Sequence, residues 1–171
     1  CSSDLASSTV NTISVAGFAK GSGMIHPNMA TMLAFLVSDV DISPELLQGA
    51  LAECVERSFN AITVDGDTST NDTVILQTTG HGPSIKAGTE AFASFKRALQ
   101  ETCTALAKAI ASDGEGATQL IEVRVEGLAS DQHARQAARA VLRSPLVKCA
   151  VHGHDPNWGR ILGALGAAQV P

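Results

Sequence analysis

This sequence predicts an α/β fold, because segments with the patterns of strands and of helices alternate along the chain. The apolar run 32–37 is too short and too continuous for a surface helix, which indicates a buried strand. The segment 87–112 instead repeats apolar residues every three or four positions, which is typical of an amphipathic helix. Taken alone, this alternation suggests a doubly wound parallel sheet.

Strand-like segments recur between the helical ones. The segment 10–16 alternates apolar and polar residues imperfectly and leads the chain towards Lys20. The residues before it, 1–9, are small and polar, which suggests a poorly ordered lead-in. In 119–126 the apolar side chains occupy alternate positions and would face one side of a strand. The predicted strands are 10–16, 32–37, 73–79, 119–126 and 146–151.

Capping residues mark where helices begin. Ser43 precedes Pro44 and Glu45, which is the usual order of an N-cap, a first helical proline and an acid in the first turn. By the same argument Asp155 is an N-cap and Pro156 opens the last helix. The first predicted helix follows the N-cap Ser43, and the second covers 87–112. The third starts at Ser130, and the last, after Asp155 and Pro156, covers 157–168.

The composition is that of a compact soluble chain. With 171 residues, of which 44% are hydrophobic, the chain is long enough for one domain with a core. The formal net charge of -5 and the lack of a basic run argue against a nucleic-acid partner. No apolar stretch reaches the roughly 18 residues of a membrane-spanning helix, so no membrane partner is expected.

The sequence contains possible metal ligands but does not predict a metal site. No pair of the four cysteines has the spacing of metal ligands, and buried free thiols in a reducing compartment are expected instead. His152, His154 and Asp155 place two imidazoles and a carboxylate close together. Three candidate ligands within four residues, with no partner cluster, do not complete a zinc site, and no metal is predicted.

A candidate nucleophile, Thr31, lies between a proline-containing lead-in and the apolar run. Threonine needs a neighbouring base, and one solution is its own α-amine, freed when the preceding peptide bond is cut. That amine has a pKa of about 7.7 to 8, so a useful fraction is neutral at pH 7. Cutting between Ala30 and Thr31 would therefore create the catalyst. The alternative interpretation is a glycine-rich turn that enters a strand.

Two further candidates are acidic. The polar block 65–72 resembles a calcium loop in composition, but Thr70 stands where such a loop needs glycine and Leu76 where it needs glutamate. Either its side chains cap their own backbone or they shape a site. Glu115, which lies between glycines, is either an ordinary turn residue or a carboxylate placed to bind a cation.

The run from Lys20 to Leu33 has the sequence Lys-Gly-Ser-Gly-Met-Ile-His-Pro-Asn-Met-Ala-Thr-Met-Leu. It resembles the self-cleavage segment of the ornithine acetyltransferase family, the bifunctional glutamate N-acetyltransferases of arginine biosynthesis. The resemblance covers nearly the whole chain from about Val10 onward. Further matching blocks follow in the same order at 58–60, 63–72, 113–118 and 155–161.

The resemblance implies a fold and a division of the chain. The family has a layered α/β sandwich, with sheets packed between helical layers and an amino-terminal-nucleophile threonine at a strand end. We therefore expect this sandwich and not the doubly wound sheet. The chain is expected to be a single partial domain over 1–171. Residues 1–30 would be the tail of the family's first chain, and 31–171 most of the second, with its C-terminal part missing.

The resemblance also implies an activity. Acetyl would pass from N-acetylornithine to glutamate by a ping-pong mechanism through acetyl-Thr31, after self-cleavage between Ala30 and Thr31. Lys20 and Glu115 match the family's substrate-binding lysine and glutamate, and Thr31 would also contact the substrate. No cofactor is expected. The cleaved chains are expected to form an oligomer in the cytoplasm, or in the mitochondrial matrix of a eukaryote.

Two elements of the family pattern are not found in this sequence. The Thr-Gly pair of the oxyanion hole is expected in a segment before this chain, and an Asn and a Ser or Thr of the substrate pocket in a segment after Pro171. Loss of one oxyanion donor costs ~100 to 1,000-fold in rate, so this chain alone should be a poor enzyme. Two alternatives remain: an amide hydrolase with the same threonine nucleophile, and a non-catalytic truncated fragment.

Overall fold

The computed structural model describes residues 4–10, 12–21, 23–26, 32–67 and 71–169. They fall into two compact units, Cys1–Glu115 and Gly116–Pro171, and each unit is considered by itself. Within the described part of the chain, no helix is long and apolar enough to span a membrane. The expectation of a single partial domain stays a prediction.

The first unit is built on a mixed sheet of four strands, in the order β1-β2-β3-β4. Adjacent strands run antiparallel from β1 to β3, whereas β4 runs parallel to β3. The chain must therefore cross over between β3 and β4, and helix α1 (Pro44–Glu56) lies in that connection. One parallel pair thus replaces the parallel sheet that alternation alone suggested. The strands are β1 (Asp4–Val10), β2 (Ile13–Lys20), β3 (Leu33–Ser38) and β4 (Thr73–Thr78).

The beginning of the chain differs from the sequence prediction. Residues 4–9 belong to β1, so the expected lead-in is wrong for this stretch. The single strand predicted at 10–16 is in fact parts of two strands, because Val10 pairs with Ile13 across a two-residue loop. Thr12 has a φ of 71°, in the left-handed region that tight hairpins use. Since the loop lacks the glycine that usually marks such a turn, the sequence did not reveal it.

In the part of this unit that the structure describes, two helices accompany the sheet. Helix α1 begins as predicted, with Ser43 as its N-cap and Pro44 as its first residue. Helix α2 (Glu90–Ser112) is the long predicted helix and starts after the N-cap Thr89. Helix α2 packs along β1 and β2, and α1 packs against α2. A single 3-10 turn, Phe59–Ala61, follows α1.

The two faces of the sheet differ. On the covered face, strand residues form the core together with α2, and each is at most 3% exposed. On the open face, apolar side chains remain between 38% and 85% exposed. The covered face comprises Ile13, Val15, Ala19, Ala34 and Leu36, and the open face Leu5, Phe18, Phe35, Val37 and Ile75.

Buried thiols lie in the helices of the first unit. Cys54 and Cys103 are free and buried, as predicted, and burial raises the pKa of Cys54 to about 11 and that of Cys103 to about 12. Both thiols are therefore protonated and unreactive at neutral pH. In the second unit Cys149 is a free but exposed cysteine.

Among the described residues of the second unit there are three helices. Helix α3 starts after Ser130, as predicted. The strand predicted at 146–151 is wrong, because this segment is helical. A short apolar run does not distinguish a strand from a helix, whereas the N-cap Ser144 and the first-turn Pro145 favour the helix. The helices are α3 (Asp131–Arg143), α4 (Pro145–His152) and α5 (Trp158–Ala167).

Two more predictions in the second unit are wrong. Helix α5 begins after Asn157, whose side-chain oxygen accepts a 3.1 Å hydrogen bond from the N–H of Arg160. Asp155 and Pro156 thus precede the helix. The segment 119–126 is not part of a sheet, although its alternate apolar residues are half-buried between exposed neighbours. Its pattern fits a strand, but a strand also requires a neighbouring strand.

Candidate functional site

The predicted cleavage segment is bounded by two neighbouring strands. Strand β2 ends at Lys20, which is half-buried and lies opposite Leu33, the first residue of β3. Ala30 and Thr31 lie outside the described residues, as does the rest of 27–31. The geometry of the candidate site is therefore built from the chain on either side of these residues.

The polar loop, residues 63–72 before β4, holds the chain on the side before the predicted cut. The N–H of Met24 donates a 2.6 Å hydrogen bond to Oδ2 of Asp65, and the N–H of Val64 donates a 2.8 Å bond to the carbonyl of Ile25. Met24 has a φ of 57°, in the left-handed region that few non-glycine residues adopt. These contacts fix an unfavourable backbone conformation next to the cleavage segment.

The other end of the same loop holds the chain on the side after the predicted cut. The N–H of Met32 donates a 2.8 Å hydrogen bond to Oδ1 of Asp72. The N–H of Thr73 in turn donates a 3.0 Å bond to the Met32 carbonyl. Burial raises the pKa of the Asp72 carboxyl, and the bond from Met32 partly opposes this rise by stabilising the charged form.

Glu115 reaches the same region through a tight packing contact. A Cβ atom on Gly114 would lie 3.0 Å from Cγ1 of Val64, so glycine allows the loop after α2 to approach the polar loop. A Cβ atom on Gly23 would lie 3.5 Å from Oε2 of Glu115 and 4.0 Å from Oδ2 of Asp65. The two carboxylates therefore face the same glycine, which lies three residues after Lys20.

A cavity of about 290 Å³ lies on the helix side of this region. It is lined mainly by apolar side chains of α1 and of the segments beside it. His26, Met32 and Asp72 also line it, and His26 Nδ1 lies 3.0 Å from the Thr63 hydroxyl. The cavity thus connects both sides of the predicted cut with the polar loop.

Among the described residues, the fold brings together four of the five blocks singled out in the sequence. They are 20–33, 58–60, which lines the cavity, 63–72, and the first residues of 113–118. The fifth block, 155–161, belongs to the second unit. Its neighbour His152 lies 3.3 Å, through Nδ1, from the Thr118 hydroxyl. Among the described residues no three His, Cys, Asp or Glu side chains are grouped so as to hold a metal ion.

Sequence reasoning did not identify Asp65 and Asp72 as individual contacts. The composition of 65–72 indicated either self-capping or a role in shaping a site; a self-capping contact occurs, and the role in a site stays a prediction. Asp65 accepts a bond from Met24 and also a 3.0 Å bond from the N–H of Asp67. Because the partners Met24 and Met32 lie about 40 positions away, no local pattern could reveal them.

The model of the ArgJ family matches residues 2–171. The chain belongs to the ArgJ family. The resemblance found in the sequence is thereby confirmed at the level of the family. Individual roles are not tested by it, so Lys20, Ala30, Thr31 and Glu115 stay predictions.

Relatives named arginine biosynthesis bifunctional protein ArgJ extend this match. The ArgJ of Dehalococcoides mccartyi is 56% identical over 156 residues, which are 90% of this chain and 38% of that protein. The ArgJ of Thermosynechococcus vestitus is 56% identical over 162 residues, which are 94% of this chain and 39% of that protein. The chain thus spans about two-fifths of the length of the curated relatives it matches.

A solved structure agrees with the fold. The crystal structure of ArgJ from Bacillus halodurans matches with a TM-score of 0.76 at 46% sequence identity. The match covers 80% of this chain and 65% of that one. An α/β fold with a mixed four-stranded sheet and helices is therefore confirmed.

Proposed function

We propose that this chain is part of a longer enzyme that transfers acetyl from N-acetylornithine to glutamate. The observation that carries the proposal is the convergence of the blocks that match the family. Lys20 lies opposite Leu33, two positions after Thr31 in the sequence, and Glu115 faces Gly23 together with Asp65. Lys20 and Glu115 thus lie next to residues that flank the cleavage segment in sequence, and a cationic and an anionic side chain suit the two charged ends of an amino-acid substrate.

The proposed reaction begins with self-cleavage. The Thr31 hydroxyl attacks the Ala30 carbonyl, the C–N bond breaks to leave an ester, and water hydrolyses the ester. The products are the carboxyl end of the first chain and a second chain with Thr31 as its first residue. Its free α-amine is then the base for later turnovers, since its pKa of about 7.7 to 8 leaves part of it neutral at pH 7.

Transfer then proceeds through an ester. The α-amine takes the proton of the Thr31 hydroxyl, the oxygen bonds to the acetyl carbon, and the C–N bond to ornithine breaks as its amine gains that proton. The glutamate amine next attacks the acetyl ester. N-acetylglutamate leaves, and the Thr31 hydroxyl is restored. The ester keeps the acetyl group activated while the two amines exchange places.

The proposal concerns the longer protein, whose further segments would complete the site. We propose for it the layered α/β sandwich, an oligomer of cleaved chains, and a location in the cytoplasm or, in a eukaryote, in the mitochondrial matrix. Small-molecule substrates without a cofactor suffice for the chemistry. This chain by itself should be poorly active, because an incomplete oxyanion hole costs ~100 to 1,000-fold in rate.

The test is detection of the covalent intermediate. The longer protein is incubated with N-acetylornithine and no glutamate, and its peptides are then mapped by mass spectrometry. One acetyl group should appear on the peptide that begins at Thr31, and added glutamate should remove it as N-acetylglutamate. The Thr31→Ala variant should remain both uncut and unlabelled, whereas Thr31→Ser keeps a hydroxyl and should be cut and labelled at a lower rate.

Other outcomes select among the alternatives. Release of acetate with glutamate present, without N-acetylglutamate, would indicate an amide hydrolase. An uncut and unlabelled wild-type protein would favour a non-catalytic chain. Cutting with no acetylated peptide would mean that Thr31 does not carry the acetyl group.

A further inference from the structure

The backbone of Met32 is held at both of its polar groups. Its N–H donates to Oδ1 of Asp72 at 2.8 Å, and its carbonyl accepts from the N–H of Thr73 at 3.0 Å. Both partners belong to one dipeptide at the start of β4. Such a pair of bonds fixes the position and the rotation of the Met32 peptide groups.

The surroundings make this attachment rigid. Met32 is only 5% exposed, and the next residue, Leu33, begins the parallel register with Thr73. Asp72 is half-buried, so water is partly excluded from its carboxylate. The bond from Met32 is therefore made in a low-dielectric setting by a charged acceptor, which is the stronger kind of hydrogen bond.

We propose that Asp72 is a positioning residue, whose carboxylate holds the Met32 N–H and thereby aligns the residue that precedes it. This inference rests on the proposed function, in which that residue is the nucleophile Thr31. Met32 stays bonded to Thr31 before and after the cut. The same carboxylate therefore acts in both self-cleavage and acetyl transfer.

The contact matters because the reaction depends on geometry. A displacement of about 1 Å in a reacting group can reduce a rate ~100-fold. A free amino terminus gains rotational freedom when the bond before it is cut, so Met32 becomes the nearest fixed point. Asp65 differs in this respect, because it holds Met24 on the other side of the predicted cut.

The experiment compares variants of the longer protein. Asp72→Ala removes the acceptor, and Asp72→Asn replaces the carboxylate by an amide whose oxygen can still accept the bond. Self-cleavage is followed by mass spectrometry, and transfer is measured with N-acetylornithine and glutamate per cleaved chain. We expect Asp72→Ala to lower both the cleavage rate and kcat by roughly 10- to 100-fold, with little change in either KM. Asp72→Asn should stay within roughly threefold of wild type.

Two controls separate positioning from folding. Val10→Ala removes bulk from a half-buried position at the end of β1 that lies away from Lys20 and outside the cavity, so it should lower the melting temperature and leave kcat unchanged. Glu126→Ala removes an exposed acid outside the blocks that form the candidate site and should change neither. If Asp72→Ala does not fold, Asp72→Ser is used, because its side chain ends one atom short of the carboxylate oxygen that accepts the Met32 N–H.

The measured rates decide whether Asp72 is a positioning residue. If Asp72→Ala keeps the wild-type kcat, or if Val10→Ala loses as much kcat as it does, the positioning role is wrong. A loss in Asp72→Asn as large as that in Asp72→Ala would also overturn it, because the hydrogen bond alone would then not be the cause. If the wild-type protein neither cuts nor forms the acetyl ester, the proposed function fails instead.

Discussion

The covered and open faces of the first unit's sheet are made by the same four strands but differ in what packs against them. On the covered face, α2 supplies residues such as Phe95, which is 0% exposed. On the open face, Phe35 is 38% exposed. Burial stabilises a fold in proportion to the apolar area removed from water, at about 25 cal/mol per Å². The side chains of a strand alternate between the two faces, so apolar residues lie on both. Only the face that α2 covers becomes a core.

The largest expected effect comes from truncating a residue that packs against the covered face. Phe95→Ala should lower the free energy of unfolding by about 3 to 5 kcal/mol, because it removes a fully buried ring and leaves a cavity. Phe35→Ala should lower it by about 1 kcal/mol. Urea denaturation of both variants measures the difference, and similar losses would mean that the two faces do not differ in packing.

A smaller effect is expected from adding bulk to the covered face. A Cβ atom on Gly17 would lie 2.5 Å from Cδ2 of Leu36 and 2.9 Å from the backbone oxygen of Phe35. Gly17→Ala should therefore lower the free energy of unfolding by about 1 to 3 kcal/mol. Gly49→Ala on α1 is the matched control, since its Cβ would meet nothing within 4 Å and should raise stability by up to about 1 kcal/mol. Equal free energies of unfolding for the two variants would show that the close contact at Gly17 does not disfavour a larger residue.

The smallest effect concerns the open face alone. The rings of Phe18 and Phe35 stack there, with their centroids 5.2 Å apart. A double-mutant cycle with alanine should give a coupling of about 0.5 to 1.5 kcal/mol. Strictly additive losses would mean that the stack contributes nothing. The same cycle can be measured in the longer protein. A larger loss in the free energy of unfolding for each single variant would indicate that the open face is covered there.

Much of the fold follows from local patterns in the sequence. Helix α1 could be predicted because Ser43 and Pro44 satisfy the requirements of a helix start without help from elsewhere. Strand β3 could be predicted because its run is apolar throughout and, unlike 146–151, is not preceded by an N-cap and a first-turn proline. The segment 119–126 could not, because a strand depends on a neighbouring strand that no local pattern reveals. The segment 146–151 differs, because Ser144 and Pro145 do mark a helix start there and the apolar run alone does not outweigh them.

The candidate site was predictable in its parts but not in its contacts. The motif around Lys20 and the acidic block were visible in the sequence. Their hydrogen bonds join residues about 40 positions apart, and the crossover between β3 and β4 determines which of them meet. The approach of Glu115 to Gly23 likewise depends on where α2 ends, which is a property of the packed fold.

The antiparallel pairing of β2 with β3 gives the proposed cut an unusual thermodynamic consequence. These strands pair from Val15–Ser38 to Lys20–Leu33, and α2, which follows the cut in sequence, packs on β1 and β2, which precede it. A cut between Ala30 and Thr31 would thus divide one sheet and one core between two polypeptides. Unfolding would then also be dissociation, so the melting temperature should rise with protein concentration after the cut and be independent of it before.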